Sequence, residues 1–415
     1  MYKIERISNM KIVNISKQEF DKSSFNHPLH SFYQTSMYGN LMKNYKYKVS
    51  YYAFLDEKTN TLLGVTMMLT KNLLLGYKYG YCPRGFLIDY NDEKLIDEIT
   101  KTIKAHFTPR NYIFIKIDPL IIKNKLSKNG DILPSVYTSN LDIILTNKGY
   151  YYYDKKTLKP RFNGLLKVTG SSETVFKKLD SKTKEKITIA KSSGIEIFKG
   201  TNNDIEKFYA LIKNKQKNNL KFYQNLSACY QNSFEIYFAK IKPYKYLENV
   251  KRLYNIEVQN YEKISNDILE KKKLGLSYDE EVKIYKETLE KIEKYRLCIN
   301  EAQELINNKV EEKIIATCAI ILDKYWIEFL IEQEQKEYSK YNSLYLLKWY
   351  IIEKYAKQGA IYFDLNGLKG KFSDDNFYER NKTNLDFNTD ITEYIGEFDL
   401  VLNENIYKIY KKINK

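Results

Sequence analysis

A charged segment without proline, running from about Tyr246 to Asn308, constrains the fold of this 415-residue chain more than any other feature. Its apolar residues recur at steps of three and four, in one series over Leu247–Ile268 and in a second over Tyr278–Leu305. Such a narrow apolar stripe is typical of a coiled coil. We therefore predict an antiparallel helical hairpin with roughly 30 residues, or about 45 Å, in each arm.

The two arms of the hairpin are separated by Lys273-Leu-Gly-Leu-Ser. Gly275 accommodates a left-handed turn, which glycine adopts without steric cost. Ser277 and Glu280 have the spacing of a capping box at the start of the second arm. A helical pair lying flat on the body is the alternative, but the thin apolar stripe favours an arm that projects into solvent.

The segments that flank the hairpin have the same order of predicted elements, two strands followed by a helix and a strand. Before the hairpin these are Tyr47–Leu55, Leu62–Leu69, 91–106 and Tyr112–Ile117. After it they are 314–322, 325–331, 343–357 and 360–365. This order indicates an α/β fold in which two similar domains with mixed sheets are duplicated.

These patterns define the expected domain boundaries. The first domain covers residues 1–155, the second covers 156–245 and 312–415, and the inserted arm covers 246–311. The sequence contains no run of about 18 or more apolar residues, so no transmembrane helix is predicted. The N-terminal residues have neither the long apolar stretch nor the cleavage site of a signal peptide. We therefore expect a soluble cytoplasmic protein.

The charge balance points to a polyanionic partner. There are 68 Lys and Arg residues against 52 Asp and Glu, a formal net charge of +16. Basic chains bind nucleic acid, acidic lipid or phosphorylated metabolites, although an AT-rich coding bias would also enrich lysine. The three histidines and four cysteines are scattered, so we predict no metal site.

The duplicated order resembles that of acyl-CoA N-acetyltransferases, the GNAT-like fold. That family binds the CoA pyrophosphate on a glycine-rich turn at the start of its central helix. The corresponding turns here, Phe86–Asn91 and Glu337–Asn342, contain no glycine. A CoA cofactor is therefore not expected, even where the fold is shared.

A series of short motifs, in an order that covers nearly the whole chain, carries a more specific resemblance. These motifs are Phe32–Lys43, Tyr81–Phe86, Phe114–Pro119, Lys159–Arg161, Lys182–Ile195, Gly359–Gly367 and Glu393–Leu400. Together with the inserted hairpin, they resemble the FemABX peptidyltransferases, which build peptidoglycan cross-bridges and branches. The resemblance implies two acetyltransferase-like domains and a coiled-coil arm similar to that of seryl-tRNA synthetase.

The resemblance also implies a reaction. The donor would be aminoacyl-tRNA carrying Gly, Ala or Ser, and the acceptor would be the stem-peptide amine of a lipid-linked (lipid II) or UDP-MurNAc-peptide precursor. An aminoacyl ester is already activated, so no cofactor or metal is expected and positioning supplies much of the catalysis. Contact with the cytoplasmic face of the membrane would be peripheral.

The same resemblance implies roles for individual residues. Asp118, at the end of a strand, is the expected catalytic base, with a turn-capping role as the alternative. The expected substrate-binding residues are Lys43 and Arg84 for acceptor phosphates, Lys221 and Tyr230 as the nearest substitutes for an Arg and a Tyr of the family, and Lys382 for the tRNA acceptor end. Asp364 and Glu393 are assigned structural roles.

The arm is the expected tRNA contact, through a backbone-binding face with Lys271–Lys273 at its tip. Two other hypotheses stay open at this point. One is a same-fold enzyme that transfers from charged tRNA to a protein or a lipid. The other is a non-enzymatic RNA-binding protein with a basic coiled coil.

Overall fold

A computed structural model describes residues 9–134, 140–153, 158–215, 217–310 and 312–413. The strands are β1 (Met10–Asn14), β2 (Lys48–Asp56), β3 (Leu62–Asn72), β4 (Lys78–Cys82), β5 (Leu87–Ile88), β6 (Tyr112–Ile117), β7 (Ile122–Leu126), β8 (Tyr150–Tyr153), β9 (Phe162–Lys167), β10 (Ile195–Lys199), β11 (Phe234–Ile241), β12 (Lys313–Asp323), β13 (Trp326–Glu334), β14 (Tyr362–Gly367), β15 (Asp390–Tyr394) and β16 (Glu397–Val401). The helices are α1 (Lys17–Asn26), α2 (Ser36–Lys43), α3 (Glu93–Phe107), α4 (Leu141–Asn147), α5 (Ser172–Lys178), α6 (Ser181–Ser192), α7 (Ile205–Ile212), α8 (Leu220–Tyr230), α9 (Pro243–Lys273), α10 (Asp279–Asn307), α11 (Ser343–Ala356), α12 (Phe377–Leu385) and α13 (Glu404–Ile413).

The first sheet has the order β1-β2-β3-β4-β6-β16-β8, and the short β5 pairs with β3. Helix α3 covers one face of this sheet. The predicted apolar positions Leu95, Ile96, Ile99 and Ile103 are all buried in the same core cluster. Asp92 caps the helix by accepting hydrogen bonds from the first backbone N–H groups.

The second sheet has the order β10-β11-β12-β13-β14-β9-β15-β7. Helix α11 packs against it and is buried on most sides, so it lacks the polar face of a surface helix. Gly359 follows the helix with φ +92°, the left-handed conformation with which glycine commonly ends a helix. Both sheets combine antiparallel pairs with one parallel pair, β4–β6 in the first and β13–β14 in the second. The expected α/β class with two mixed sheets is confirmed.

The two sheets exchange strands, which the predicted boundaries missed. The residues of strand β7 fall within the predicted first domain, but the strand pairs with β15 in the second sheet. The residues of strand β16 fall within the predicted second domain, but the strand pairs with β6 and β8 in the first sheet. The predicted boundaries 1–155 and 312–415 therefore assign β7 and β16 to the wrong sheets. The physical reason is that strand pairing joins distant segments, whereas the boundaries were drawn from contiguous sequence.

Helices α9 and α10 form the predicted antiparallel arm, which begins at Pro243 rather than at residue 246. Its root is anchored in the core of the second sheet by Tyr246, Val250 and Ala302. Further out, leucines and isoleucines of both helices are substantially exposed. The arm therefore projects from the body.

The turn between the two arm helices was predicted partly correctly. Gly275 has φ +68°, as expected for the left-handed turn. The predicted capping box was wrong, because the hydroxyl of Ser277 donates to Asp279 and Tyr278 occupies the N-cap position. Across the described ranges, no helix has the length and the apolar character that crossing a bilayer requires.

Candidate active site

Asp118 directly follows β6, at the end where β6 lies parallel to β4. It belongs to the short connection that leads from β6 in the first sheet to β7 in the second sheet. Its side chain is only 2% exposed. One carboxylate oxygen accepts a hydrogen bond from the backbone N–H of Arg84 at 2.6 Å, and the other accepts from the hydroxyl of Tyr81 at 3.0 Å. The predicted base is therefore buried, and both of its oxygens already accept hydrogen bonds.

Lys159 brings an amine to the same carboxylate. Its Nζ lies 3.6 Å from Oδ2 of Asp118 and 3.4 Å from the centre of the Tyr33 ring. Burial lowers the pKa of Lys159 to about 7, although the charge of Asp118 opposes this effect. Near neutral pH, this side chain is thus present in both its charged and its neutral forms.

A pair of carboxyl groups faces this cluster from the second sheet. Glu328 and Asp364 are direct neighbours in the parallel register of β13 and β14, so their side chains lie on the same face. Burial, followed by the charge of Asp364, raises the pKa of Glu328 to about 8. Burial also raises the pKa of Asp364, whose carboxylate accepts hydrogen bonds from Asn163 and from the backbone of Asn366.

Glu328 differs from its neighbours in being available to a ligand. No hydrogen bond or ion pair joins its carboxyl group to any residue that the structure describes. It lines a narrow cleft of about 20 Å³, together with Arg84, Asp364 and Tyr394. A space of this size holds one water molecule or a small polar group such as an amine.

A second, wider groove of about 440 Å³ has Lys159 in its wall. Its walls are largely aromatic and include Tyr33, Tyr38, Tyr45, Tyr47, Tyr81, Phe222 and Tyr223. Tyr33 lines the groove, and burial and then the charge of Glu328 raise the pKa of its hydroxyl. Leu330 lines the groove and lies two residues beyond Glu328 on the same face of β13. Within the described part of the chain the two cavities share no lining residue, but they lie next to each other, because Ser31 lines the cleft and Phe32 lines the groove.

Lys43 and Lys221 lie at the rim of this groove. Lys43 ends α2, next to the lining residue Met42, and Lys221 lies in the first turn of α8, next to the lining residue Phe222. Both lysines are exposed, and α2 and α8 pack against each other. The structure thus places two predicted substrate-binding residues next to lining residues of one groove.

Three other predicted residues have different environments. Arg84 is 6% exposed, and its guanidinium lies 5.1 Å from the Tyr394 ring centre, inside the cleft. Tyr230 is buried, and its hydroxyl donates to the carbonyl of Phe32 at 2.8 Å, a contact that ties α8 to the first domain. Lys382 is exposed on α12 and pairs with Glu379 at 2.9 Å, outside the residues that line either cavity.

The sequence patterns did not indicate Glu328 or Lys159 as site residues, and they indicated a structural role for Asp364. A signal for Glu328 was present, because it is the one charged residue within the apolar run Tyr325–Ile331. The structural role of Glu393 agrees with its contacts, since its carboxylate accepts from Arg161 at 2.5 Å and from Asn124 at 2.6 Å.

The amino ends of the two central helices bind carboxylates of the chain itself. Asp92 accepts hydrogen bonds from the backbone of Lys94 and Leu95 at the start of α3. Glu334 accepts from the hydroxyl of Ser343 and from the backbone of Leu344 at the start of α11. These positions, where a pyrophosphate would otherwise bind, already hold an internal anion.

The arm tip carries mixed charge. Lys271 pairs with Glu281 at 2.8 Å across the turn. Over residues 267–283 the four lysines are outnumbered by five acids, namely Asp267, Glu270, Asp279, Glu280 and Glu281. The tip is therefore a weaker polyanion-binding surface than Lys271–Lys273 alone suggested.

Known proteins resemble this chain along nearly its whole length. The sequence profile of the FemAB family matches residues 15–415. The chain is 22% identical to aminoacyltransferase FemA of Staphylococcus epidermidis over 429 residues, covering 98% of this chain and 99% of that protein. It is 19% identical to aminoacyltransferase FemA of Staphylococcus aureus, again covering 98% and 99%. The crystal structure of FemX is 17% identical and superposes with a TM-score of 0.71 over 96% of this chain and 99% of that one, so the fold is shared.

Proposed function

Because this chain belongs to the FemAB family and is an aminoacyltransferase, we propose that it transfers an aminoacyl group from a charged tRNA to an amine of a peptidoglycan precursor. The resemblance to the FemABX family is confirmed, and the non-enzymatic hypothesis is not retained. The transferred residue in this proposal is Gly, Ala or Ser. The acceptor is the stem-peptide amine of a lipid-linked or UDP-linked muropeptide at the cytoplasmic face of the membrane.

The observation that carries this proposal is that the groove and the cleft are neighbours, with Lys159 in the groove wall close enough to Arg84 and Glu328 of the cleft to interact with their charges. The aromatic groove is large enough for a peptide, and its rim carries Lys43 and Lys221 for the acceptor phosphates. The cleft beyond it is small and acidic, which suits the amine at the end of that peptide. The reacting amine would therefore arrive between Glu328 and Lys159.

The chemistry then needs two proton transfers. As the amine nitrogen bonds to the ester carbon, Glu328 accepts its proton. As the bond to the ribose oxygen breaks, Lys159 donates a proton to that oxygen. Both groups have a pKa near the working pH, which favours general acid–base catalysis. Asp118 acts in this proposal as a positioning residue, since its oxygens hold the Arg84 loop and Tyr81 and attract Lys159.

The proposal includes no cofactor. The ester supplies the driving force, so the protein must only align the reactants and move protons. The carboxylates of Asp92 and Glu334 at the amino ends of α3 and α11 support this view for CoA, because a pyrophosphate there would meet like charge.

The activity is tested with purified protein and labelled glycyl-, alanyl- and seryl-tRNA. Each donor is offered lipid-linked muropeptide, UDP-linked muropeptide or a protein acceptor. We expect label in one of the muropeptides and none in protein. Transfer to the protein acceptor alone would overturn the assignment and favour the second hypothesis above.

The pH dependence of transfer follows from the two shifted groups. The reactive form has Glu328 deprotonated, which is favoured above pH about 8, and Lys159 protonated, which is favoured below pH about 7. The rate should therefore have its maximum between these values and fall on both sides. Asp364→Asn removes the like charge that raises the pKa of Glu328, so its maximum should move to lower pH. The measurement is kcat/KM against pH with one acceptor, and an unmoved maximum in the variant would exclude Glu328 as the base.

Lys43→Met is expected to raise KM for the muropeptide roughly 10- to 100-fold with kcat nearly unchanged, because it removes one charge-assisted phosphate contact. The free energy of unfolding should not change, since Lys43 is exposed and its amine donates to the side chain of the neighbouring Asn40 at 3.3 Å. Lys382→Met is the matched comparison and should raise KM for aminoacyl-tRNA instead. Lys101→Met, on the exposed face of α3, should change neither constant. An unchanged muropeptide KM in Lys43→Met would contradict the proposed orientation of the acceptor.

A further inference from the structure

The loop of residues 73–76, between β3 and β4, presents two leucines to solvent. Leu74 is 88% exposed and Leu75 is 92% exposed, the two highest values among the large hydrophobic side chains that the structure describes. Leu75 also has φ +57°, a conformation that is unfavourable for leucine. Neither side chain contributes to the core, whereas Leu73 and Tyr77 on either side pack against the buried cluster that contains Phe114. The two leucines at the tip of this leucine loop (residues 73–76) are therefore unexplained by folding.

The surroundings of the leucine loop are strongly basic. The sequence has no Asp or Glu from residue 58 to residue 88. Five cationic side chains lie at the same end of the first sheet, namely Lys46, Lys48, Lys71, Lys78 and Arg110. None of the five forms an ion pair with a carboxylate among the described residues. This end of the sheet thus combines projecting apolar side chains with unneutralised positive charge.

We propose that the leucine loop and its five cations dock on an anionic lipid bilayer. Leucine side chains at a loop tip enter the boundary between headgroups and acyl chains, while lysines around them attract anionic headgroups. The phosphates of RNA would satisfy the lysines but offer no apolar environment for the leucines. Two leucine side chains are also too small a surface for a stable protein interface. A bilayer accounts for both parts of this surface.

The leucine loop lies near one end of the aromatic groove. The Nζ of Lys71 lies 5.6 Å from the ring centre of Tyr47, which lines the aromatic groove. Docking through the leucine loop would therefore hold one end of the groove at the membrane surface. This part of the inference rests on the proposed function and selects the lipid-linked acceptor over the UDP-linked one.

The arm tip provides a comparison within the same chain. Leu274 and Leu276 are also exposed, at 72% and 55%, and lie beside lysines. The acids of the tip outnumber its lysines, so an anionic bilayer would not attract it. Exposed leucine alone is therefore not enough to predict membrane docking. The arm tip serves as the negative control for the leucine loop.

The test is co-flotation of the purified full chain with vesicles of phosphatidylglycerol and phosphatidylcholine, and with vesicles of phosphatidylcholine alone. We expect binding to the mixed vesicles only. The double variant Leu74→Ser/Leu75→Ser should bind at least about tenfold more weakly, because about 0.8 kcal/mol is lost per CH₂ no longer buried. Lys71→Gln should weaken binding about fivefold. Leu274→Ser/Leu276→Ser should bind as wild type does.

The outcomes separate the docking from the proposed reaction. Equal binding by wild type and the Leu74/Leu75 variant, or no binding by wild type, would overturn the docking. Self-association that this variant abolishes, without vesicle binding, would also overturn it and indicate a second copy of the chain as the partner. If vesicle binding follows the expected order but no muropeptide is labelled, the docking stands and the proposed reaction fails. A blue shift of Trp fluorescence in Leu75→Trp on mixed vesicles would support insertion.

Discussion

Glu328→Gln is expected to lower kcat and kcat/KM together by about 10²- to 10⁴-fold, the usual contribution of a positioned general base. Glutamine keeps the shape of the side chain but cannot accept the proton of the attacking amine. Steady-state transfer from charged tRNA to muropeptide measures both constants. The fall in rate at low pH should also disappear in this variant, because Glu328 no longer titrates.

The same substitution should not destabilise the protein. The pKa of Glu328 is raised from an ordinary value of 4.5 to about 8, so between these values the folded chain holds a proton that the unfolded chain has lost. The contribution of this carboxyl group to the free energy of unfolding therefore decreases as pH rises across that range. Glutamine does not titrate, so it removes the decrease. Glu337→Gln, on an exposed turn, is the control and should change neither rate nor stability. A Glu328→Gln enzyme that keeps more than about a tenth of wild-type kcat would exclude Glu328 as the proton acceptor.

Asp118→Ala is expected to lower the free energy of unfolding by about 3–5 kcal/mol, the cost of removing one partner from a buried charged cluster. The substitution leaves the N–H of Arg84 and the hydroxyl of Tyr81 without their acceptor, and it leaves two buried cations without their nearest carboxylate. Asp118→Asn should cost less, because its amide oxygen still accepts from Arg84. Urea unfolding at pH 7 measures the difference.

The control for this substitution is Asp375→Ala, since Asp375 lies exposed in a loop. Its free energy of unfolding should stay within about 0.5 kcal/mol of wild type. If Asp118→Ala unfolds like wild type but loses all transfer activity, the positioning role is wrong and a direct role as base is favoured. If Asp118→Asn keeps both stability and activity, neither role applies.

The helical arm and the duplicated strand and helix order could be predicted because they depend on local patterns. Apolar steps of three and four define an amphipathic helix regardless of what it packs against. Gly275 and Gly359 mark turns by their own conformational freedom, and both have positive φ. The capping box at Ser277 failed because the short hydroxyl side chain had a nearer competing partner in Asp279.

The motifs also located part of the site without showing how it is assembled. The family resemblance implied site roles for Asp118 and Arg84; Arg84 lines the cleft, and its backbone N–H donates to Asp118. Lys43 and Lys221 are exposed beside lining residues of the groove, and their substrate-binding roles stay predictions. Tyr230 is buried against Phe32, and Lys382 lies outside both cavities. Residue identity and local position were informative, but contact partners were not.

The sequence by itself determined the helices, most strands, the arm and the family, because each follows from residues that are near one another along the chain. Only the tertiary structure decided that β7 and β16 change sheets, that Lys159 approaches Asp118, and that Glu328 lies beside Asp364. These contacts join residues that are between 36 positions (Glu328 and Asp364) and 287 positions (Phe114 and Val401) apart. Burial and charge act through space, so the pKa values that make the cleft reactive exist only once the sheets have paired.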